Sequence, residues 1–137
     1  MVPLETGMIF TTGAWRFTVL HPDREPCRSD NACSLVLLAE GGGRRVLLLG
    51  DAERTLDPAL LRLVAPRPDV LQAAHHGSRT GTSPLLLKCL RPRSVLIPVG
   101  GNNPYGHPHK ETLAAVTSIH TLLWRTDQRG AFRLPLK

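Results

Sequence analysis

Two almost uninterrupted apolar runs, Ser34 to Glu40 and Arg44 to Leu49, flank the turn Gly41-Gly42-Gly43. A strand with one wet face alternates apolar and polar residues, so runs this apolar predict a hairpin buried on both faces. Such a hairpin needs covering layers, and frequent Gly and Pro punctuation, 12 of each, argues for many short elements rather than a helical bundle. An earlier hairpin is predicted from Met8-Ile9-Phe10 and Trp15 to His21 around Thr12-Gly13, where Trp15, Phe17 and Val19 alternate with Arg16 and Thr18.

Beyond a polar, loop-like Pro22 to Asn31 and the second hairpin, the period changes after Gly50-Asp51. Asp57 as N-cap and Pro58 at the first helical position predict a short helix ended by Pro66 and Pro68. Asp69 to Ala74 reads as a strand running into His75-His76-Gly77-Ser78, and Ser83-Pro84 caps a helix through Leu90. Ser94 to Val99 is a strand, Gly100 to Pro108 a glycine-rich loop, and about His109 to Ile119 a third helix. Thr121 to Thr126 and Ala131 to Leu136, around Asp127-Gln128-Arg129-Gly130, read as two closing strands. With no repeat, low-complexity tract or boundary, residues 1–137 are expected to form a single domain.

At 42% apolar and 20% charged residues the chain can bury a core. No apolar run approaches the roughly 18 residues that cross a bilayer, and Met1-Val2-Pro3-Leu4-Glu5 lacks the basic start of an export signal, so neither a membrane span nor a leader is expected. Cys27, Cys33 and Cys89 include no two-residue spacing and are expected to be reduced, which favours the cytosol. The net charge of +6 is carried mostly by arginine, scattered along the chain; codon bias explains it as well as nucleic-acid binding does.

Asp51, His75, His76, His107 and His109 follow strands or lie in the glycine-rich loop. A carboxylate and several imidazoles are suitable ligands for zinc or manganese, cations that activate water. Each residue alone has an ordinary alternative: Asp51 as a turn or cap residue, His75-His76 as a satisfied loop, His107-Pro108-His109 as the lead into a helix. Their order along the chain, strand-Gly-Asp, strand-His-His-Gly-Ser and Gly-His-Pro-His, is more specific. His21-Pro22 either faces such a site or turns the chain. Trp15, Phe17, Trp124 and Phe132 could stack on bases, but their alternating pattern assigns them to the core.

Asn31 to Leu37, Leu48-Leu49-Gly50-Asp51-Ala52-Glu53, Asp69 to Ser78, Gly106-His107-Pro108-His109 and Leu123 to Leu134 resemble the metallo-β-lactamase-like domain of the bacterial DNA-uptake competence channel protein ComEC. The resemblance implies an α/β (α+β) fold, an incomplete αββα sandwich of which this chain carries the C-terminal portion. About three helices are expected to pack on one face of a mixed, mostly antiparallel sheet. It also implies a metal-dependent DNA nuclease with Asp51, His76 and His107 as catalytic metal ligands, Asp51 bridging. His75, Ser78 and His109 would line the site, with His21, from its own place at a strand end, as a further candidate lining residue, and the ions would be zinc or manganese.

That family's hallmark His-x-His-x-Asp-His string lies on the first half of the fold and does not occur in this sequence, and Asn31-Ala32-Cys33 stand where many relatives place a histidine. The expectation is therefore a truncated domain with an incomplete site and an exposed apolar face or edge. Its partners would be single-stranded DNA and either a polypeptide carrying the missing half or a second copy. The family's full-length proteins sit in the cell membrane, with this soluble domain attached. Two other readings stay open: a catalytically inactive DNA-binding or assembly module, and a hydrolase of a different ester or amide.

Overall fold

The computed structural model describes residues 4–23 and 31–135. Seven strands form one sheet in chain order: β1 (Ile9–Thr12), β2 (Trp15–His21), β3 (Val36–Gly41), β4 (Arg44–Leu48), β5 (Val70–Gln72), β6 (Ser94–Ile97) and β7 (Leu122–Arg125). Both expected hairpins are present, closing at Thr12↔Trp15 and Gly41↔Arg44. β1 to β4 form an antiparallel meander, whereas β4 to β7 pair parallel. Parallel neighbours need a crossover, and α1 (Asp57–Leu63), α2 (Pro84–Leu90) and α3 (Lys110–Ser118) supply one at each step.

Sheet register explains the core. Leu38↔Leu47, Leu47↔Leu71 and Leu71↔Val95 lie opposite one another, and all four are buried with Leu60 of α1, Leu86, Leu87 and Leu90 of α2, and Val116 of α3. Each large aliphatic side chain buried this way contributes roughly 1.5–3 kcal/mol.

The alternate row, Phe17↔Ala39, Ala39↔Val46 and Val46↔Val70, faces the other way. With Trp15, Leu96, Phe132 and Leu134 it lines a cavity of ≈ 330 Å³. The aromatic residues expected in the core therefore sit half-buried on the sheet face that the helices do not cover. There Phe10 stacks on Phe17 with ring centroids 5.0 Å apart, and the Arg129 guanidinium lies 5.4 Å over the Trp124 ring.

The chain end departs from expectation. Thr126–Arg129 is a short helix, α4, and residues 131–135 form no strand. The reason is that Thr126 is recruited elsewhere: its hydroxyl accepts from the Val99 amide and donates to the Val99 carbonyl, both at 2.8 Å. The segment that follows lays Phe132 and Leu134 on the open sheet face, held by Trp124 Nε1 donating to the Gly130 carbonyl and by Arg44 Nε donating to the Pro135 carbonyl.

Ser83 caps α2 as expected, accepting from the Leu86 amide at 3.0 Å. Asp57 lies one position inside α1 rather than before it, buried, and takes the Ser83 hydroxyl proton in a hydrogen bond. Cys33 is disulfide-bonded and Cys89 is free and exposed, which corrects the expectation that all are reduced. A disulfide persists in oxidising surroundings, so the leaning toward the cytosol loses its basis; Cys27 lies outside the described residues. Among the described residues no helix is long and apolar enough to cross a membrane.

Candidate active site

In an open parallel sheet the carboxyl ends of the strands share one edge, and ligands bind in the loops there. β4, β5, β6 and β7 are parallel, so Gly50-Asp51, Ala73 to Ser78, Pro98 to His109 and Thr126 all emerge at that edge. β2 also runs this way, because β2 and β4 both pair antiparallel with β3, and His21 therefore ends at the same edge.

Four imidazoles gather there. The ring centroids of His75 and His107 are 5.5 Å apart, His107 and His109 4.8 Å, and His75 and His76 6.3 Å. His75 and His76 adopt consecutive left-handed conformations, φ 48° and 54°, which non-glycine residues avoid at a cost of about 1–3 kcal/mol each. Three contacts hold the turn: the His75 amide donates to the Gly50 carbonyl beside Asp51 at 2.9 Å, the Ser78 amide donates to the His75 carbonyl, and Thr82 Oγ1 accepts from the Ala74 amide. Gly77, at φ +84°, lets the second loop close in, since a Cβ there would meet the Pro108 Cβ at 2.6 Å. The His75 and His76 rings stand at 70° to each other across this left-handed turn.

Hydrogen bonds fix which nitrogens are available. The Pro98 carbonyl accepts from His76 Nδ1 at 2.7 Å, so the proton sits on Nδ1 and the Nε2 lone pair of the exposed ring is free. His109 Nδ1 accepts from the Arg79 amide at 3.2 Å, which leaves Nε2–H as a donor in the neutral ring. His75 Nδ1 is buried without a hydrogen-bond partner among the described residues. Burial, and then the His109, His75 and His76 rings, push the His107 pKa below its ordinary 6.5, so this imidazole is neutral at neutral pH.

The other expected residues have defined places. Asp51 is half-buried at the end of β4, next to the carbonyl that anchors His75. Ser78 is buried: its hydroxyl bonds Thr80 Oγ1 at 3.1 Å and its carbonyl accepts from Thr112 Oγ1, so it closes the turn. Sequence reasoning missed Asn103, whose Nδ2 bridges the Gly100 and His107 carbonyls and whose Oδ1 accepts from the His107 amide. An Asn in a glycine-rich loop is the one signal that pointed to it.

Does a divalent cation suit this donor set? The unpartnered His75 Nδ1 and the free Nε2 of His76, its other nitrogen oriented by a carbonyl, are nitrogens of the type that ligates one. Among the described residues, however, no group of three or more His, Cys, Asp or Glu side chains is already gathered to hold a metal. The donor types suit a cation, but the described side chains do not by themselves form its site.

No protein-family model matches the chain. It is 34% identical over 123 residues, 89% of its length, to ComE operon protein 3 of Bacillus subtilis (strain 168). It is 36% identical over 118 residues, 86% of its length, to Recombination protein 2 of Haemophilus influenzae, and 30% identical over 122 residues, 88%, to Competence protein ComA of Neisseria gonorrhoeae. The chain spans only 16%, 15% and 18% of those proteins respectively. Over nearly its whole length it is thus similar to one segment of a competence-related group of bacterial proteins.

Proposed function

We propose that the chain is part of the metallo-β-lactamase-like domain of a ComEC-type protein, a metal-dependent phosphodiesterase that cuts DNA during uptake of transforming DNA. The observation that carries this reading is the imidazole cluster at the carboxyl edge of the parallel strands, with an unpartnered nitrogen on His75 and an oriented His76. Asp51, His76 and His107 would hold a zinc or manganese ion together with donors from a further segment, and His75 would line the site. When bound, the ion supplies charge neutralisation at phosphorus and a water of lowered pKa.

The chain's own residues do the rest. His109 presents an Nε2–H that can donate to a phosphoryl oxygen, while the neutral His107 keeps its lone pair for a ligand role at neutral pH. Because these donors do not make a closed set, the reading includes completion of the site by a segment bearing His-x-His-x-Asp-His, whose packing layer would cover the open apolar sheet face.

A second reading, an inactive DNA-binding or assembly module, is favoured by the absence of three gathered ligand groups among the described residues. Calorimetric titration with Mn²⁺ or Zn²⁺ separates the two. The nuclease reading expects weak binding that His76→Ala and His107→Ala each abolish; no binding, or binding indifferent to both substitutions, favours the inactive module.

A further inference from the structure

Tyr105 is the chain's single tyrosine, and 74% of its surface is in water. Its ring nevertheless has a fixed neighbour: it stacks on His107 with centroids 5.8 Å apart and an interplanar angle of 29°. Together with His76, Val99, Gly100, Asn103 and His107 it lines a cavity of ≈ 180 Å³ beside the imidazole cluster. Asn103 pins both ends of the loop that carries the tyrosine, bonding Gly100 on one side and His107 on the other.

An aromatic ring held on one face and open on the other offers a flat apolar surface at the mouth of a candidate active site. We propose that Tyr105 is a substrate-contacting residue on which one unpaired nucleobase stacks, extending the column from His107 outward. This inference rests on the nuclease reading and adds the residue that meets a base of the single strand. In a duplex both faces of each internal base are covered by neighbours, so only an unpaired or terminal base has a face to offer. A base seated on Tyr105 would lie one ring beyond His107 of the imidazole cluster. Arg79 and Lys110 are exposed and adjoin His109, Arg79 through its backbone amide and Lys110 as the next residue, and so add positive charge next to the cluster. Every base has a π-face, so the site selects single strands or ends without selecting sequence.

The test is a fluorescence-anisotropy titration, with Mn²⁺ present, of a short oligothymidylate and a length-matched abasic oligomer. The proteins are the full chain and its Tyr105→Ala and Tyr105→Phe variants. Stacking predicts that Ala weakens oligothymidylate binding by about 5- to 150-fold, the range of one base–aromatic contact. Phe, which keeps the ring and loses the hydroxyl, binds like the parent, and the abasic oligomer does not distinguish the three proteins. Equal oligothymidylate affinity for Ala and parent, an equal loss on the abasic oligomer, or a loss with Phe matching that with Ala each overturns the inference while leaving the nuclease reading in place. No binding of either oligomer by the parent overturns the inference. The nuclease reading is overturned separately, if the chain supplemented with a segment bearing His-x-His-x-Asp-His fails to cut single-stranded DNA.

Discussion

Asn103 brackets His107: its Oδ1 accepts from the His107 amide and its Nδ2 donates to the His107 carbonyl, both at 2.8 Å. The side chain thereby fixes the backbone that aims an imidazole, which makes Asn103 a positioning residue. Outer partners of metal ligands typically control affinity by roughly 10- to 100-fold. Asn103→Ala should weaken Mn²⁺ binding by about that factor with little change in the far-ultraviolet circular dichroism; unchanged affinity would show that His107 does not depend on this clamp.

Gly77 should tolerate no side chain. Its φ of +84° and the 2.6 Å approach a Cβ would make to Pro108 combine backbone strain with a clash between the two histidine loops. Gly77→Ala is expected to cost at least about 1–3 kcal/mol in urea unfolding. The His107 and His109 ring resonances should shift together in NMR spectra. A variant as stable as the parent, with those resonances in place, would mean that the loops are not packed this tightly.

Asp57 links stability to pH. Burial raises its pKa above the ordinary 3.8, opposed by the Ser83 hydrogen bond and the Arg54 charge. The folded state then binds the proton more tightly than the unfolded chain, so stability present below pH 3.8 is lost as pH rises through the folded-state pKa. Asp57→Asn keeps an acceptor for Ser83 without the charge. It should match the parent at low pH and exceed it at pH 7, whereas Asp57→Ala leaves the Ser83 hydroxyl without its acceptor and should cost about 1–3 kcal/mol. A parent-to-Asn difference that does not change with pH would refute the assignment.

The open sheet face predicts association. Apolar residues of five strands line one continuous cavity together with Phe132 and Leu134, and surfaces of this kind mark interfaces. The chain should bind an apolar fluorescent dye and self-associate with rising concentration, and Leu96→Lys should reduce both. A monodisperse monomer that ignores the dye would contradict an uncovered face.

Local chemistry made much of this fold readable. Both hairpins followed from apolar runs around glycine turns, and α2 from Ser83-Pro84, because those signals act within a few residues. The gathering of His75, His76, His107 and His109 at one edge followed from their places after strands, since parallel strands align their ends. What was hidden depended on distant partners. Thr126 turns into a helix because it binds Val99, and the alternation of Phe132 and Leu134, which resembles a strand, instead serves to cover a sheet face. Trp15 and Phe17 are apolar for that same face, and period alone does not say which side of a sheet the helices cover. The left-handed His75 and His76 have no signature because non-glycine residues there are held by tertiary contacts.

The central claim, that this chain holds part of a phosphodiesterase site and needs a further segment to complete it, is tested most directly by cleavage of single-stranded DNA with Mn²⁺ or Zn²⁺. The measurement compares the chain alone with the chain supplemented by a polypeptide bearing His-x-His-x-Asp-His. The prediction is no detectable turnover alone, and turnover in the mixture that Asp51→Ala and His76→Ala each remove. Robust cleavage by the chain alone, abolished by Asp51→Ala, would contradict the claim and would mean that its own carboxylate and imidazoles suffice.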